Sequence, residues 1–177
     1  MVRLICQPVL PNQIERMRAE TPEQARRLVG FAWRCFHGTP LAGGRTPVAR
    51  LRGRSHFLDA LLRVGCWLKG ESAGRQLRAM HDELFEAALG MGRFEPDMTG
   101  LRAACWSVFE LYQAAVAAEA GEFPAVARKA AWSAFLASRS AEQGAAPAAV
   151  EYQERLLHEA LTPPASSCQP MSAAAPC

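Results

Sequence analysis

The sequence predicts an all-α fold, a single-domain irregular bundle of about six to eight helices that ends in a helical hairpin and a disordered tail. Apolar residues recur at helical spacing, and helix start and stop signals flank these runs. In addition, one octet occurs twice within an alanine-rich segment, residues 101–161. Its copies are Arg102–Phe109 (RAACWSVF) and Arg128–Phe135 (RKAAWSAF). Two similar helices in succession favour a hairpin in which the faces with small side chains pack together.

The N-terminal region contains one clear helix. Residues 1–10 fit a short edge strand or an extended arm, and residues 11–20 fit a brief amphipathic helix. Residues 21–24, Thr-Pro-Glu-Gln, combine a hydroxyl N-cap, a proline at the first helical position and a glutamine that completes a capping box. We therefore expect a helix that begins here and ends at Gly38.

Loops and helices alternate in the middle of the chain. The prolines and glycines of residues 39–47 indicate a loop, and a helical turn is expected from residue 46 to Arg54. Ser55 is predicted to cap a helix that ends at Gly70. The apolar stripe of that helix consists of Phe57, Leu58, Leu61, Leu62, Val64 and Leu68.

The next helix leads to an internal joint. Ser72 is predicted to cap it, Gly90 to end it, and its apolar stripe is formed by Leu77, Met80, Leu84 and Ala88. Residues 90–100 then contain three glycines and a proline, which interrupt any regular element. Neither side of this joint is long enough to form a stable hydrophobic core of its own, so residues 1–161 are predicted to form one helical domain.

The second half of the chain contains the octet helices and a last helix. Gly121 and Pro124 break the chain after the first copy, so the second helix is expected over residues 125–138. A last helix is expected from Pro147 to Leu161. The proline-rich residues 162–177 are predicted to be a disordered tail.

Composition favours a cytoplasmic protein without membrane association. No apolar run approaches the roughly 20 residues that a membrane span requires, and the first residues lack the apolar core and cleavage site of a signal peptide. The six cysteines are scattered and include no C-x-x-C pair. This pattern favours reduced structural thiols over disulfides.

The four tryptophans, Trp33, Trp67, Trp106 and Trp132, fall in four different predicted helices. Their spacing is too uneven for a regular solenoid repeat. One large aromatic side chain per helix is typical of a shared core. We therefore predict that all four anchor the core of the bundle.

Positive charge is concentrated in the first half of the chain. The net charge is only +3, but residues 1–100 contain 15 basic and 10 acidic side chains, whereas residues 101–177 contain 5 and 7. Four guanidinium groups fall within ten residues that contain no acid. They belong to Arg45, Arg50, Arg52 and Arg54. Such a patch can bind nucleic-acid phosphates or the carboxylates of a protein partner, or it can be a solvated surface without a function.

The sequence has no catalytic signature. None of the four histidines, His37, His56, His81 and His158, lies in a metal-binding motif, so we expect solvated surface histidines. No phosphate-binding loop or serine nucleophile motif occurs either. The best local cluster is His81, Asp82 and Glu86, which is typical of the solvated side of a helix. It supports only a less favoured alternative, a small helical enzyme. We predict no metal, no cofactor and no enzymatic activity.

The octets, together with residues 151–157 (EYQERLL), resemble the all-helical, alanine-rich immunity proteins that bacteria encode beside polymorphic toxins. The resemblance covers residues 101–161. It implies a protein that binds its cognate toxin and covers the active site of that toxin. Because this chain is mildly basic, the resemblance implies a toxin with an acidic or apolar exposed site rather than a basic nuclease.

We therefore predict a non-enzymatic protein-binding protein, an immunity-type inhibitor of a bacterial toxin. Its predicted partner-binding residues are Arg45, Arg50, Arg52 and Arg54. The alternative is a helical nucleic-acid-binding or regulatory protein that uses the same arginines on phosphate. Phe57 is the only aromatic residue close to these arginines in sequence, which disfavours stacking on single strands.

Overall fold

The computed structural model of the chain describes residues 17–41, 44–71, 75–95, 97–140 and 147–162. All regular structure in these residues is helical, which confirms the all-α class. The helices are α1 (Pro22–Gly38), α2 (Pro47–Arg50), α3 (Ser55–Leu68), α4 (Arg75–Arg78), α5 (His81–Gly90), α6 (Gly100–Ala120), α7 (Phe123–Arg139) and α8 (Pro147–Leu161). None of the helices in this part of the chain has the length and apolar character needed to cross a bilayer.

Two predicted segments lie wholly or mostly outside the described residues. Residues 1–16 contain the predicted strand or arm and most of the predicted short helix, and residues 163–177 contain most of the predicted tail. Residues 17–20 are described and are not helical, so the prediction of a helix through residue 20 is wrong. The reason is that Thr21 has the extended backbone angles of an N-cap, which separate α1 from any preceding helix.

The capping box of α1 is confirmed. Thr21 Oγ1 accepts a hydrogen bond from the Gln24 backbone N–H at 3.2 Å, and Gln24 Oε1 accepts one from the Thr21 backbone N–H at 3.2 Å. The helix ends at Gly38, as predicted. The last helix, α8, also has its predicted bounds. Local signals in the sequence were therefore sufficient to predict these helix boundaries.

The middle of the chain differs from the prediction at two boundaries. Ser55 is the first residue of α3 rather than its cap, because Arg54 occupies the N-cap position and no side chain caps the helix. The helix predicted to end at Gly90 is divided into α4 and α5 by a turn at residues 79–80. Its predicted cap, Ser72, lies outside the described residues. Its predicted stripe is nevertheless buried throughout, at Leu77, Met80, Leu84 and Ala88.

The apolar stripe of α3 is narrower than predicted. Phe57, Leu61 and Val64 are buried, but Leu58 is 38% and Leu62 is 67% exposed. Successive helical residues are rotated by about 100°. Leu58 and Leu62 therefore lie on the flank of the helix, away from the face that packs on the core.

Helices α6 and α7 form the predicted hairpin. Gly121, with a left-handed φ of 76°, ends α6. Helix α7 begins at Phe123, earlier than predicted, because Pro124 fits the first turn, where no N–H is needed. The octets meet at equivalent serines: Ser107 Oγ donates to the Ser133 carbonyl at 2.7 Å and lies 3.3 Å from Ser133 Oγ. The two copies are thus related by an approximate two-fold axis.

The other long helices pack around this hairpin. Helix α1 contacts both α6 and α7, α3 and α5 contact α6, and α8 contacts α1 and α7. Two residues of the EYQERLL segment fix α8 in place. Tyr152 covers Gly38, leaving no room for a Cβ atom there. The Gln153 side-chain amide donates to Thr39 Oγ1 at 3.1 Å and to the Ala134 carbonyl at 2.7 Å.

Candidate protein-binding surface

The four arginines of the predicted patch lie along the connection from α1 to α3. Arg45, Arg52 and Arg54 are exposed, whereas Arg50, the last residue of α2, is half-buried. Arg54 occupies the residue just before α3. The local sequence explains this placement, since the turns on both sides of the short helix α2 keep the chain at the surface.

Three of these guanidinium groups have no carboxylate partner in the part of the chain that the structure describes. Within the described residues, Arg45, Arg52 and Arg54 form no ion pair with a carboxylate. By contrast, Arg34 Nη1 lies 3.0 Å from Glu159 Oε2. The patch is therefore a region of uncompensated positive charge, and a ligand with negative charge would not have to displace an existing partner.

A cavity of about 370 Å³ lies beside Arg54, between the start of α3 and the end of α5. Its lining consists of Gly53, Arg54, Ser55, His56, Phe57, Ala87, Gly90 and Met91. Ala87 and Met91 supply accessible apolar surface, Arg54 and His56 supply polar groups, and the lining contains no carboxylate. We call Arg45, Arg52, Arg54 and this cavity the basic surface.

The electrostatic effect of Arg54 reaches the core. Burial raises the pKa of the Cys105 thiol to about 11, and the positive charge of Arg54 acts in the opposite direction. Cys105 lies on α6, in the first octet. Its thiol stays protonated at neutral pH, so it is not the activated nucleophile that a cysteine enzyme requires.

A second concavity, of about 460 Å³, lies between α1, the end of α3 and the end of α8. It is lined by Arg27 and Arg34, but each of these has a carboxylate partner, Glu23 and Glu159 respectively. Its charges are therefore already balanced within the molecule. This difference makes the basic surface the better candidate for an acidic ligand.

The cluster considered for an enzyme lies on α5. His81 Nδ1 is 3.1 Å from Asp82 Oδ1, and His81 Nε2 is 3.5 Å from the Gln113 side-chain nitrogen. Glu86 is exposed on the same helix. No group of three or more histidine, cysteine, aspartate or glutamate side chains is arranged to hold a metal ion among the residues described.

The other histidines divide into two kinds. His56 and His158 are exposed, as predicted for solvated histidines. His37 is half-buried, because its ring stacks on Trp33 at 3.8 Å and its Nδ1 lies 2.9 Å from the Trp33 carbonyl. Burial lowers its pKa, and the contact with the carbonyl acts in the opposite direction. The expectation of surface histidines is therefore wrong for His37.

The described cysteines, Cys35, Cys66 and Cys105, are free thiols. Cys35 and Cys105 are buried, and burial raises the pKa of the Cys35 thiol far above its usual value. These three agree with the prediction of reduced thiols. The remaining three cysteines, Cys6, Cys168 and Cys177, lie outside the described residues.

The prediction that the tryptophans anchor the core is confirmed for Trp67 and Trp106, and Trp33 packs against the core, but the prediction is wrong for Trp132. Trp67 and Trp106 are buried, but Trp33 and Trp132 are half-buried. On α7, Trp132 shares an outward face with other large side chains, and this surface was not predicted from the sequence. The face consists of Arg128, Trp132, Phe135 and Arg139. Their spacing of four, three and four residues is the signal that could have revealed it.

Comparison with protein-family models, with curated proteins and with solved structures found no match to this chain. The resemblance to immunity proteins therefore stays a prediction from the sequence.

Proposed function

We propose that this chain is a non-enzymatic protein-binding protein that holds an acidic partner through its basic surface. The observation that supports the proposal most directly is the exposed, unpaired state of Arg45, Arg52 and Arg54 within the described residues. A partner that brings carboxylates to these groups gains charge-assisted hydrogen bonds without breaking existing ion pairs. The positive surface also attracts such a partner before contact.

The cavity favours a protein ligand. Arg54 can bind a carboxylate with two parallel hydrogen bonds, and the half-buried side chains of Ala87 and Met91 lie in the same cavity. Protein interfaces combine an apolar centre with polar edges in this way. The ligand that fits is therefore an acidic side chain with an apolar neighbour.

The nucleic-acid alternative has less support. Single-strand binding relies on aromatic side chains that stack on bases, but Phe57, the aromatic residue next to these arginines, is only 3% exposed. Its ring packs in the core cluster and is not accessible to a base. Phosphate binding by the arginines alone would remain, and its steep salt dependence provides a test.

The biological role that fits this binding is that of an immunity-type inhibitor. The octets and the EYQERLL segment suggest this role by resemblance. In it, the helical body presents the basic surface to acidic residues around the active site of a toxin and blocks access to that site. The inhibitor itself performs no chemistry, so His81, Asp82 and Glu86 are assigned no catalytic role.

The test is co-expression with the product of the neighbouring gene, followed by co-purification and measurement of cell survival. A variant with R45E, R52E and R54E should bind that product roughly 100-fold more weakly and should lose protection, because three attractive charges become repulsive. Gel filtration and circular dichroism would verify that the variant folds.

The matched control carries R18E, R78E and R93E, which change three exposed arginines elsewhere and alter the net charge equally. It should bind and protect like the wild type. Equal binding by both variants, or no binding by the wild type, would refute the proposal. Salt-sensitive retention of the wild type on DNA, lost in the first variant only, would favour the nucleic-acid alternative.

A further inference from the structure

The outward residues of the first octet all have partners within the chain. Arg102 Nη1 lies 3.1 Å from Glu95 Oε2. The Trp106 indole N–H donates to the Gly92 carbonyl at 3.0 Å. The Phe85 ring of α5 lies 5.4 Å from the Phe109 ring.

Helix α5 and the residues after it provide this cover. The Phe85 ring is also 6.5 Å from Trp106, and the Phe94 ring is 5.4 Å from Trp106. Phe85 thus lies near the later part of the octet, whereas Glu95 lies near Arg102 at its start. The covering segment therefore runs antiparallel to α6, with its aromatic residue first and its carboxylate later.

The second octet presents equivalent groups that lack these partners. Arg128 matches Arg102, is exposed, and forms no ion pair within the described residues. Trp132 matches Trp106, and its indole N–H has no acceptor in the same part of the chain. Phe135 matches Phe109 but is half-buried, whereas Phe109 is 2% exposed.

Among the described residues, the contacts to the outward aromatic side chains of the second octet come from the edges of this face. The Phe94 ring lies 5.3 Å from the Trp132 ring, and the Arg139 guanidinium lies 5.9 Å from the Phe135 ring centre. Phe94 lies in the non-helical residues after α5, and Arg139 belongs to α7 itself, so in the part of the chain that the structure describes neither contact comes from a second helix on this face. The approximate two-fold axis through Ser107 and Ser133 therefore relates a covered position on α6 to an open one on α7.

We propose that the face of α7 formed by Arg128, Trp132 and Phe135 is a second interaction surface, which binds an amphipathic helix of a protein partner. The partner helix carries an aromatic side chain that packs between Trp132 and Phe135, as Phe85 does on α6. A carboxylate further along the partner pairs with Arg128, as Glu95 does with Arg102. The partner helix runs antiparallel to α7.

Charge and side-chain type both agree with this occupant. Arg128 is the cation available at the start of this face, because the neighbouring Lys129 lies 3.1 Å from the Glu110 carboxylate. Arg139, at the other end of the face, already donates to the Asp97 and Met98 carbonyls. Tryptophan and arginine are the residues most enriched among those that dominate binding at protein interfaces. The inference does not depend on the basic surface, which lies on the connection from α1 to α3.

The test uses the chain's own covering segment as the probe. A synthetic peptide of residues 81–95, with its α5 part held helical by a lactam bridge, is added to the full-length protein labelled with ¹⁵N. The Trp132 indole signal, assigned by its loss in the W132F variant, should shift as the peptide is added. A peptide with Phe85 replaced by serine should produce no shift.

Variants of the protein sharpen the result. R128E changes an exposed side chain and should weaken peptide binding about threefold, whereas the R45E, R52E and R54E variant should bind the peptide like the wild type. These variants therefore test the proposed α7 surface and the proposed basic surface separately.

Three results would overturn the proposal. The Trp132 signal could stay unchanged at millimolar peptide. The Trp106 signal could shift instead, which would mean that the peptide replaces α5 on α6. Alternatively, a single-stranded oligonucleotide could shift the Trp132 signal while the peptide does not, which would identify a surface for nucleic acid.

Discussion

The two octets have nearly the same sequence, yet their aromatic side chains lie in different environments. Trp106 is 4% exposed and donates to the Gly92 carbonyl, whereas Trp132 is half-buried and its ring contacts Phe94 at one edge. The sides that face each other are alike, since Ser107 and Ser133 meet directly. The repeat therefore fixes how the helices cross, while the elements packed outside them decide which copy is buried.

The largest expected effect separates the two tryptophans. Trp106→Ala should lower the free energy of unfolding by about 3–5 kcal/mol, because it opens a cavity in the core. Trp132→Ala should lower it by about 1 kcal/mol, because this ring is only half-buried and lies outside the core cluster. Urea unfolding, followed by circular dichroism, would measure both values. Equal losses would show that the exposed face of α7 is part of the core.

A smaller effect is expected at the crossing point of the octets. Ser107→Ala removes the hydroxyl that donates to the Ser133 carbonyl and should cost about 1 kcal/mol. Ser133→Ala keeps that carbonyl as an acceptor and should cost less. The same urea experiment applies. A greater loss for Ser133→Ala would mean that the two serines do not have the roles seen in the structure.

The smallest effect concerns Glu110 of α6, which lies 3.1 Å from Lys129 of α7. Burial raises the pKa of this carboxyl above its usual value of 4.5, and the charges of Lys129 and Arg128 oppose the shift. The folded state thus binds a proton more tightly than the unfolded state. This tighter proton binding by Glu110 stabilises the folded state below about pH 4.5, and the stabilisation is lost as the pH rises through the folded-state pKa.

Glu110→Gln removes this titration and should flatten the corresponding part of the stability profile. Unfolding midpoints measured from pH 4 to pH 8 for both proteins would test this. Identical slopes in the variant and the wild type would contradict the assignment to Glu110. Lys129→Met is a useful companion, since removal of the opposing charge should make the decline with rising pH steeper.

Much of the fold followed from local signals. The capping box at residues 21–24 and Pro147 gave the correct starts of α1 and α8, because such signals act within one helical turn. The hairpin followed from the octets. Leu58 and Leu62 were assigned to the core incorrectly, since burial depends on which flank of α3 meets a neighbouring helix, and periodicity alone does not specify that.

The candidate surfaces were less accessible to prediction. The exposure of Arg45, Arg52 and Arg54 agrees with their polar, acid-free surroundings in the sequence. The cavity beside them was not predicted, because it joins the start of α3 to the end of α5, which are about thirty residues apart. The partial exposure of Trp132 arises because no described helix packs over it, a tertiary property that the octet sequence does not contain.

The buried amide of Gln153 has a consequence for the register of α8. Its two acceptors belong to Thr39 and to Ala134, so the amide is satisfied from two directions at once. A slide of one residue along the helix axis, about 1.5 Å, would leave a polar group unsatisfied in an apolar environment at a cost of about 1–3 kcal/mol. Leu156 and Leu157 alone would tolerate several neighbouring positions. The Gln153 amide thus selects one register for α8 against the rest of the bundle.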